Sequence, residues 1–294
     1  EMQRSLVGSE MCIRDRYRKN AKTGGERMRK GKRLIAWIMA VVMLFTICVF
    51  DGNGTAEAAA TTPVAKHGRL SVKGADLVDS KGNKFQLRGI STHGINWDVG
   101  SPYVNKKAFK TLRDDWGVNA IRLAMYTEEY NGYCSGGSQA KLRKLVDKGV
   151  GYATDLGMYA IIDWHILSDG NPNKNKSQAK KFFTTMAKKY KNNKNVIYEI
   201  CNEPNGCSWK EIKSYATDII KTIRKYDKKA VIIVGTPTWS QLGTDGTSNE
   251  VADSPIKGYK NIMYSLHFYA SEWAHNEYLP AKVAYARKKK LPII

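Results

Sequence analysis

Past residue 60 the chain alternates between two patterns of apolar and polar positions. Short, nearly continuous apolar runs fall at 85–90, 120–125, 158–163, 196–201, 230–234 and 262–268, and another begins at 292–294. Such runs, bounded by Gly, Pro, Asn and Asp, predict strands buried on both faces. Between them lie 106–116, 139–156, 177–190, 208–226 and 273–289, where apolar residues recur among Lys, Asp and Gln at helical spacing. Strand after helix at intervals of roughly 30–40 residues implies a parallel sheet of right-handed βαβ units. The expected architecture is α/β: a (β/α)8 TIM barrel, incomplete, with about six and a half βα units. A doubly wound open sheet is the alternative, and no G-x-G-x-x-G follows the first strand to support it. Ahead of the barrel, Arg69-Leu70-Ser71-Val72 through Lys81-Gly82-Asn83 to Phe85-Gln86-Leu87 reads as an N-terminal β-hairpin with a Gly-Asn turn, placed to cap the barrel floor.

The first 60 residues follow another logic. Met28-Arg29-Lys30-Gly31-Lys32-Arg33 is positive, 34–50 is almost unbroken apolar sequence, and Ala56-Glu57-Ala58-Ala59-Ala60 offers small residues for cleavage. These are the three regions of a secretory signal peptide. The division expected is therefore a non-native or read-through leader at 1–27, a signal peptide at 28–60, a linker at 61–68 and one barrel domain at 69–294. Export follows from it, with no stable membrane association after cleavage. The alternative is that 34–50 stays uncut as an anchor, since it sits at the short end of the roughly 17–25 residues that span a bilayer.

A formal charge of +21 over 294 residues changes the picture less than its size suggests. Residues 1–60 hold 11 of the 48 Lys and Arg and six of the 27 acids, so the remainder still carries +16. Its lysines are strung along helical stretches, as in Lys180-Lys181, Lys188-Lys189 and Lys288-Lys289-Lys290, which is how solvated faces look. No nucleic-acid partner is expected from that distribution. Of five cysteines, Cys12 and Cys48 fall in the leader. Cys201 reads as a small core residue, Cys134 and Cys207 lie in loops where pairing stays open, and no CxxC spacing suggests a metal. Neither metal nor cofactor is expected.

Candidate chemistry comes from where the polar residues fall. In a barrel built this way the chemistry sits where strands end. Asn202-Glu203-Pro204 closes the run Val196-Ile197-Tyr198-Glu199-Ile200-Cys201, which places a carboxylic acid at the C-terminal end of a buried strand. In Ile121-Arg122-Leu123-Ala124-Met125-Tyr126, side-chain alternation puts Arg122 and Tyr126 on one face, toward the barrel mouth. Asp163-Trp164-His165 ends another strand, His267-Phe268-Tyr269 a further one, Trp239 follows the fifth, and His93 and Trp97 follow the first. Each has a plainer reading: a satisfied structural histidine, a packing tryptophan, an Arg122 that merely neutralises Glu199. Their convergence on one face favours a site. The residue types suit glycosidic hydrolysis, which needs an acid for the leaving oxygen, a second carboxylate, polar groups that read hydroxyls, and flat rings for sugar faces. Glu203 suits the acid, with partial burial expected to raise its pKa. Asn202 is placed to meet a sugar 2-hydroxyl, His165, His267 and Tyr269 to donate hydrogen bonds, and Trp97, Trp164 and Trp239 to stack.

Six segments taken together resemble bacterial cellulases of glycoside hydrolase family 5. They are Leu87-Arg88-Gly89-Ile90-Ser91-Thr92-His93-Gly94, Ile121-Arg122-Leu123-Ala124-Met125-Tyr126, Trp164-His165-Ile166-Leu167, Tyr198-Glu199-Ile200-Cys201-Asn202-Glu203-Pro204-Asn205-Gly206, Gly235-Thr236-Pro237-Thr238-Trp239-Ser240-Gln241 and Leu266-His267-Phe268-Tyr269. The match runs in order from about Arg69 to the end. The resemblance implies a (β/α)8 fold, retaining endo-β-1,4-glucanase activity, a β-glucan substrate and no metal. It makes Glu203 the acid/base and Asn202 its 2-hydroxyl partner. Arg122, His267 and Tyr269 would orient the nucleophile and the sugar, while His93, Tyr126, His165 and Trp239 would line the subsites. The family's nucleophile is a glutamate just beyond strand seven, so this chain is expected to stop short of it and to be inactive as given. Asp163 and Glu199 are not expected to replace it. A monomer is expected. A β-glucan-binding protein without turnover, and a mannanase or xyloglucanase of the same family, stand as alternatives.

Overall fold

The computed structural model describes residues 61–243 and 249–294. The leader, the signal peptide, the anchor alternative, Cys12 and Cys48 lie outside the described residues. After a short helix α1 (Pro63–His67) come β1 (Ser71–Lys73) and β2 (Asp76–Val78), paired antiparallel. Then follow β3 (Gly89–Ser91), α2 (Lys106–Trp116), β4 (Ala120–Tyr126), α3 (Gln139–Asp155), β5 (Tyr159–His165), α4 (Lys176–Tyr190), β6 (Val196–Glu199), α5 (Trp209–Arg224) and β7 (Ile232–Val234). Helix α6 (Glu250–Asp253), β8 (Ile262–Tyr264) and α7 (Trp273–Lys288) complete the order. Strands β3 to β8 form one parallel sheet in sequence order, the topology expected for consecutive βα units. Ile293 bridges Tyr264 in parallel, so 292–294 does begin a seventh strand position. β3 lies at the sheet's other end, and all three of its residues are exposed.

Local signals explain the helices. Ser208 and Glu211 cap α5 reciprocally, and its buried residues Trp209, Ile212, Tyr215, Ala216, Ile219, Ile220 and Ile223 fall on one face. Helix α2 starts on the Asn105 side chain and stops at Gly117, which takes φ 67. Gly149 lies on the contact face of α3, where a Cβ would come within 2.6 Å of the Leu123 side chain. Between helices and sheet lies the larger core, which includes Leu123, Met125, Ile162, Phe182, Phe183, Tyr198 and Ile219.

The hairpin differs from expectation. Two turns divide the segment, because Gly74 at φ 62 closes a two-residue loop between Lys73 and Asp76 before the Gly82 turn is reached. Phe85 then pairs with Leu77 by one backbone bond of 2.9 Å and belongs to the floor, so the first barrel strand begins at Gly89 instead of residue 85. The expected cap is present. Leu70 and Leu77 join Ala120, Tyr159, Ile161, Ile197, Ile233 and Met263 in a second apolar cluster that fills the barrel's lower interior. β6 and β8 are also shorter than the apolar runs that predicted them, since both chains turn away above the sheet to build the mouth.

Trp164 is a correction. It is 0% exposed and packs its ring against Tyr133, Phe182 and Phe183, so it offers no stacking surface. Alternation requires this, since Asp163 and His165 on either side face inward. Cys134, Cys201 and Cys207 are all free, so the open Cys134–Cys207 pairing is not made. Burial pushes the Cys134 thiol up to about 12 and the Cys207 thiol up to about 11.

Two predictions follow from the packing. Trp164→Ala should lower unfolding free energy by about 3–5 kcal/mol in urea titrations, whereas Trp239→Ala, at a side chain 43% exposed, should change it far less. Asp79 anchors the Gly82 turn, its Oδ1 accepting the N–H groups of Lys81 and Asn83 at 2.9 Å each and its Oδ2 lying 3.0 Å from His67 Nδ1. The His67 contact, helped by the backbone bonds, outweighs burial and holds the carboxyl down from 3.8 to about 2. A depressed carboxyl stabilises the fold above its unfolded pKa and ceases to as pH falls through the folded one. The stability gap between the protein and Asp79→Asn should thus be full near neutrality and close as pH drops from 3.8 to about 2.

Candidate active site

The mouth is built around one partly buried cation, Arg122, whose side chain is 18% exposed. Arg122 points inward from β4 and donates Nε to Glu199 Oε2 and Nη2 to Glu199 Oε1, each at 2.7 Å. The same Nη2 lies 2.8 Å from Asn202 Oδ1 and 3.0 Å from Asp163 Oδ2, and Nη1 donates to Ser91 Oγ at 3.2 Å. Burial opposes the charge on Arg122, but Asp163 and Glu199 outweigh it and push its pKa up. Strand register brings these groups level, for Asp163 on β5 pairs with Glu199 on β6 and with Ala124 on β4. The plainer reading of Arg122, that it neutralises Glu199, is therefore correct and incomplete: it also fixes Asn202.

His165 extends the network. Its Nδ1 lies 2.5 Å from Asp163 Oδ2, which assigns the proton to Nδ1 because a carboxylate only accepts. Nε2 is then an acceptor, and it takes an N–H from Asn202 Nδ2 at 3.1 Å. The other Asn202 N–H goes to the Ile166 carbonyl at 3.1 Å. Both ring nitrogens of His165 are occupied, so it is not the free hydroxyl donor that the sequence suggested. Asp163, two residues earlier on the same face, is the cause. Tyr126 lies against the His165 ring at a centroid distance of 4.0 Å, Trp97 against Tyr126 at 4.5 Å, and His93 against Trp97 at 5.4 Å. These four rings make one continuous wall. Burial, then Asp163 and Glu129, push the Tyr126 hydroxyl up to about 12, so it stays a neutral donor.

Glu203 stands across from this cluster, its side chain 21% exposed, with Oε1 2.8 Å from His267 Nδ1. Trp239 is tied to the same turn through its N–H, which donates to the Pro204 carbonyl at 3.0 Å. Tyr269 lies two residues past His267 and is exposed at the rim. Of the nine residues proposed beside Glu203, the structure joins Arg122, Asn202, His165, Tyr126, Trp97 and His93 in one network, pairs His267 with Glu203, and leaves Trp239 and Tyr269 as exposed rings. Among the described residues no group of three or more His, Cys, Asp or Glu is placed to hold a metal.

Sequence reading missed the residues that hold this geometry. Asp163 had no role there except as an unsuitable nucleophile, although its place two residues before His165 was signal enough. Asn96 clips the first loop to β4, accepting the Tyr126 N–H at 2.9 Å and donating to the Tyr126 carbonyl at 3.1 Å. Gly235 allows the chain after β7 to pass the Glu203 turn, for a Cβ there would meet the Cys201 carbonyl oxygen at 2.4 Å and Pro204 Cδ at 2.7 Å. Nothing in the local sequence signals that approach, which joins segments distant along the chain.

Comparison with known proteins agrees with this geometry. Residues 78–294 match the family Cellulase (glycosyl hydrolase family 5). Endoglucanase A of Butyrivibrio fibrisolvens is 51% identical over 207 residues, covering 69% of this chain and 46% of the relative. An endoglucanase of Clostridium saccharobutylicum is 49% identical over 267 residues, 89% of this chain and 55% of the relative. The chain thus spans about half the length of these relatives. Among solved structures, cellulase Cel5C_n superposes with a TM-score of 0.74 at 39% identity, covering 80% of this chain and 72% of that one. The catalytic domain of Thermobifida fusca endoglucanase Cel5A in complex with cellotetraose gives 0.70 at 41% identity, covering 79% and 74%.

Removing the central cation tests the network. Arg122→Met leaves Asp163 and Glu199, 0% and 3% exposed, as uncompensated carboxylates. The expected cost is about 3–5 kcal/mol in equilibrium denaturation. Arg122→Lys, which keeps a charge but not the two-pronged donor geometry, should recover only part of it.

Proposed function

The chain belongs to glycosyl hydrolase family 5, and on that premise we propose that it carries the acid/base residue of a retaining endo-β-1,4-glucanase. The observation that supports this most is the Glu203 carboxyl, partly buried in the turn that follows β6 and held 2.8 Å from His267 Nδ1. A retaining glycosidase needs one carboxylic acid that protonates the leaving glycosidic oxygen and then, as carboxylate, takes a proton from the attacking water. Glu203 is the acid in that reading. His267 holds its oxygen in place, and its partial exposure admits both the sugar and the water. As a donor, Asn202 reaches the 2-hydroxyl by sharing an N–H it now gives to His165 or Ile166, so sugar binding and the buried network compete for the same proton.

Substrate class rests on the wall His93–Trp97–Tyr126–His165 and the exposed rings of Trp239 and Tyr269. Flat apolar faces flanked by neutral donors fit an uncharged β-linked glucan. The relatives named endoglucanases, and the cellotetraose bound to a structural neighbour, support β-1,4-glucan over mannan or xyloglucan. The signal-like pattern at 28–60 supports export of the protein to where such polymers occur.

One observation favours a second reading, β-glucan binding without turnover. Within this cluster, Asp163 and Glu199 are both clamped by Arg122, so neither supplies the second carboxylate of a retaining pair. Affinity electrophoresis through a β-glucan gel, with reducing ends assayed in parallel, separates the two. Retardation with no reducing ends supports binding alone. Where turnover is observed, Glu203→Gln should lower it by about 10²–10⁴-fold on soluble cellulose derivatives. Full activity in that variant would remove Glu203 from the role.

A further inference from the structure

Three consecutive residues after β7, Thr238, Trp239 and Ser240, take left-handed backbone with φ of 59, 50 and 62. For residues other than glycine this conformation costs about 1–2 kcal/mol each, and it persists only where surrounding contacts over-determine it. Ser240 makes those contacts. It is fully buried. Its hydroxyl donates to the Asn202 carbonyl at 2.6 Å and accepts the Thr236 N–H at 3.2 Å. Its own carbonyl accepts the His267 N–H at 2.8 Å, and its N–H donates to the Thr236 carbonyl at 3.0 Å.

One side chain thus grips the residue before Glu203, while its carbonyl grips the backbone of the histidine that faces Glu203. We propose that Ser240 is a positioning residue that sets the separation between the Glu203 carboxyl and the His267 ring. The left-handed turn is what makes this possible, because it aims the Ser240 hydroxyl and carbonyl at two different segments from one residue. The proposal rests on the reading of Glu203 as acid/base. It goes beyond that reading by assigning the geometry of the pair to a residue that touches neither the sugar nor either reacting group.

Ser240→Ala and Ser240→Gly test it. Both remove the hydroxyl, and Gly also relieves the left-handed strain, so it keeps the fold intact if the alanine variant unfolds. Turnover should fall about ten- to a hundredfold, the scale of a misplacement near 1 Å. KM should stay within about threefold and the pH profile of kcat/KM should shift, because that profile reports the acid and base of the free enzyme. Amide hydrogen exchange needs no turnover. The His267 and Trp239 N–H groups should exchange more than about tenfold faster in the glycine variant, with β4 and β5 amides unchanged. If Glu203→Gln is inactive while the glycine variant keeps wild-type kcat and pH profile, the positioning role is overturned and the acid assignment stands. If Glu203→Gln keeps full activity, the acid assignment fails first. A lower melting temperature and raised KM with an unmoved pH profile, or unchanged exchange at His267, would reduce Ser240 to a packing residue.

Discussion

The guanidinium of Arg122 is the charge on which the barrel mouth depends. Two carboxylates, Asp163 and Glu199, are buried beside it, and neither tolerates burial without a cation. A lysine would satisfy the charge but not the shape, since the planar fork is what reaches both Glu199 oxygens and Asn202 at once. From that fixed point the order propagates. Asp163, held by Arg122, holds the proton on His165 Nδ1; His165 Nε2 then accepts from Asn202; and Asn202, fixed at both ends of its amide, sets where Glu203 begins. Electrostatics inside the barrel becomes geometry at the Glu203 carboxyl.

The barrel divides this labour by depth. The inward positions Ala120, Tyr159, Ile161, Ile197 and Ile233 form one apolar plug with the hairpin residues Leu70 and Leu77. Above it the inward positions are Asp163, His165 and Glu199, and the strands give way to loops. The plug excludes water from under the ion network, which strengthens each of its interactions and makes any unpaired member costly. The loops above carry the strain, concentrated at 238–240, where the chain after β7 folds back over the Glu203 turn. Gly235 permits that passage and Ser240 secures it.

What was legible in the sequence follows from this division. Strands, helices and the convergence of polar strand ends are periodic or local signals, and they could be read without coordinates. Arg122 and Tyr126 sharing a face, and 292–294 entering a seventh position, needed only alternation and spacing. Alternation was also enough to exclude Trp164, which lies between two inward residues, yet its proximity to His165 in sequence suggested a stacking role. The Gly74 turn was overlooked because the later Gly82-Asn83 pair gave the more familiar signal. Contacts between segments far apart could not be read at all: Ser240 with Asn202, Gly235 with Cys201, and the occupation of both His165 nitrogens depend on how loops meet above the sheet.

A large positive surplus on the chain conflicts with the proposed neutral polysaccharide ligand only until the charges are located. Inside the mouth the balance is reversed, with two carboxylates against the single guanidinium and a third carboxyl at Glu203. A neutral glucan gains little from that excess in its ground state. An oxocarbenium-like transition state gains more, because positive charge develops on the sugar ring as the glycosidic bond lengthens. Fixed dipoles and charges that favour the transition state over the ground state are what accelerate a reaction. In the proposed glucanase, Arg122 therefore has to hold Asp163 and Glu199 in place beneath the mouth, yet be outnumbered by carboxyls, so that the field at the sugar stays negative. The lysines on the outer helices are screened by water and salt, so in the proposed glucanase the field at the mouth is set by the few charges gathered around Arg122.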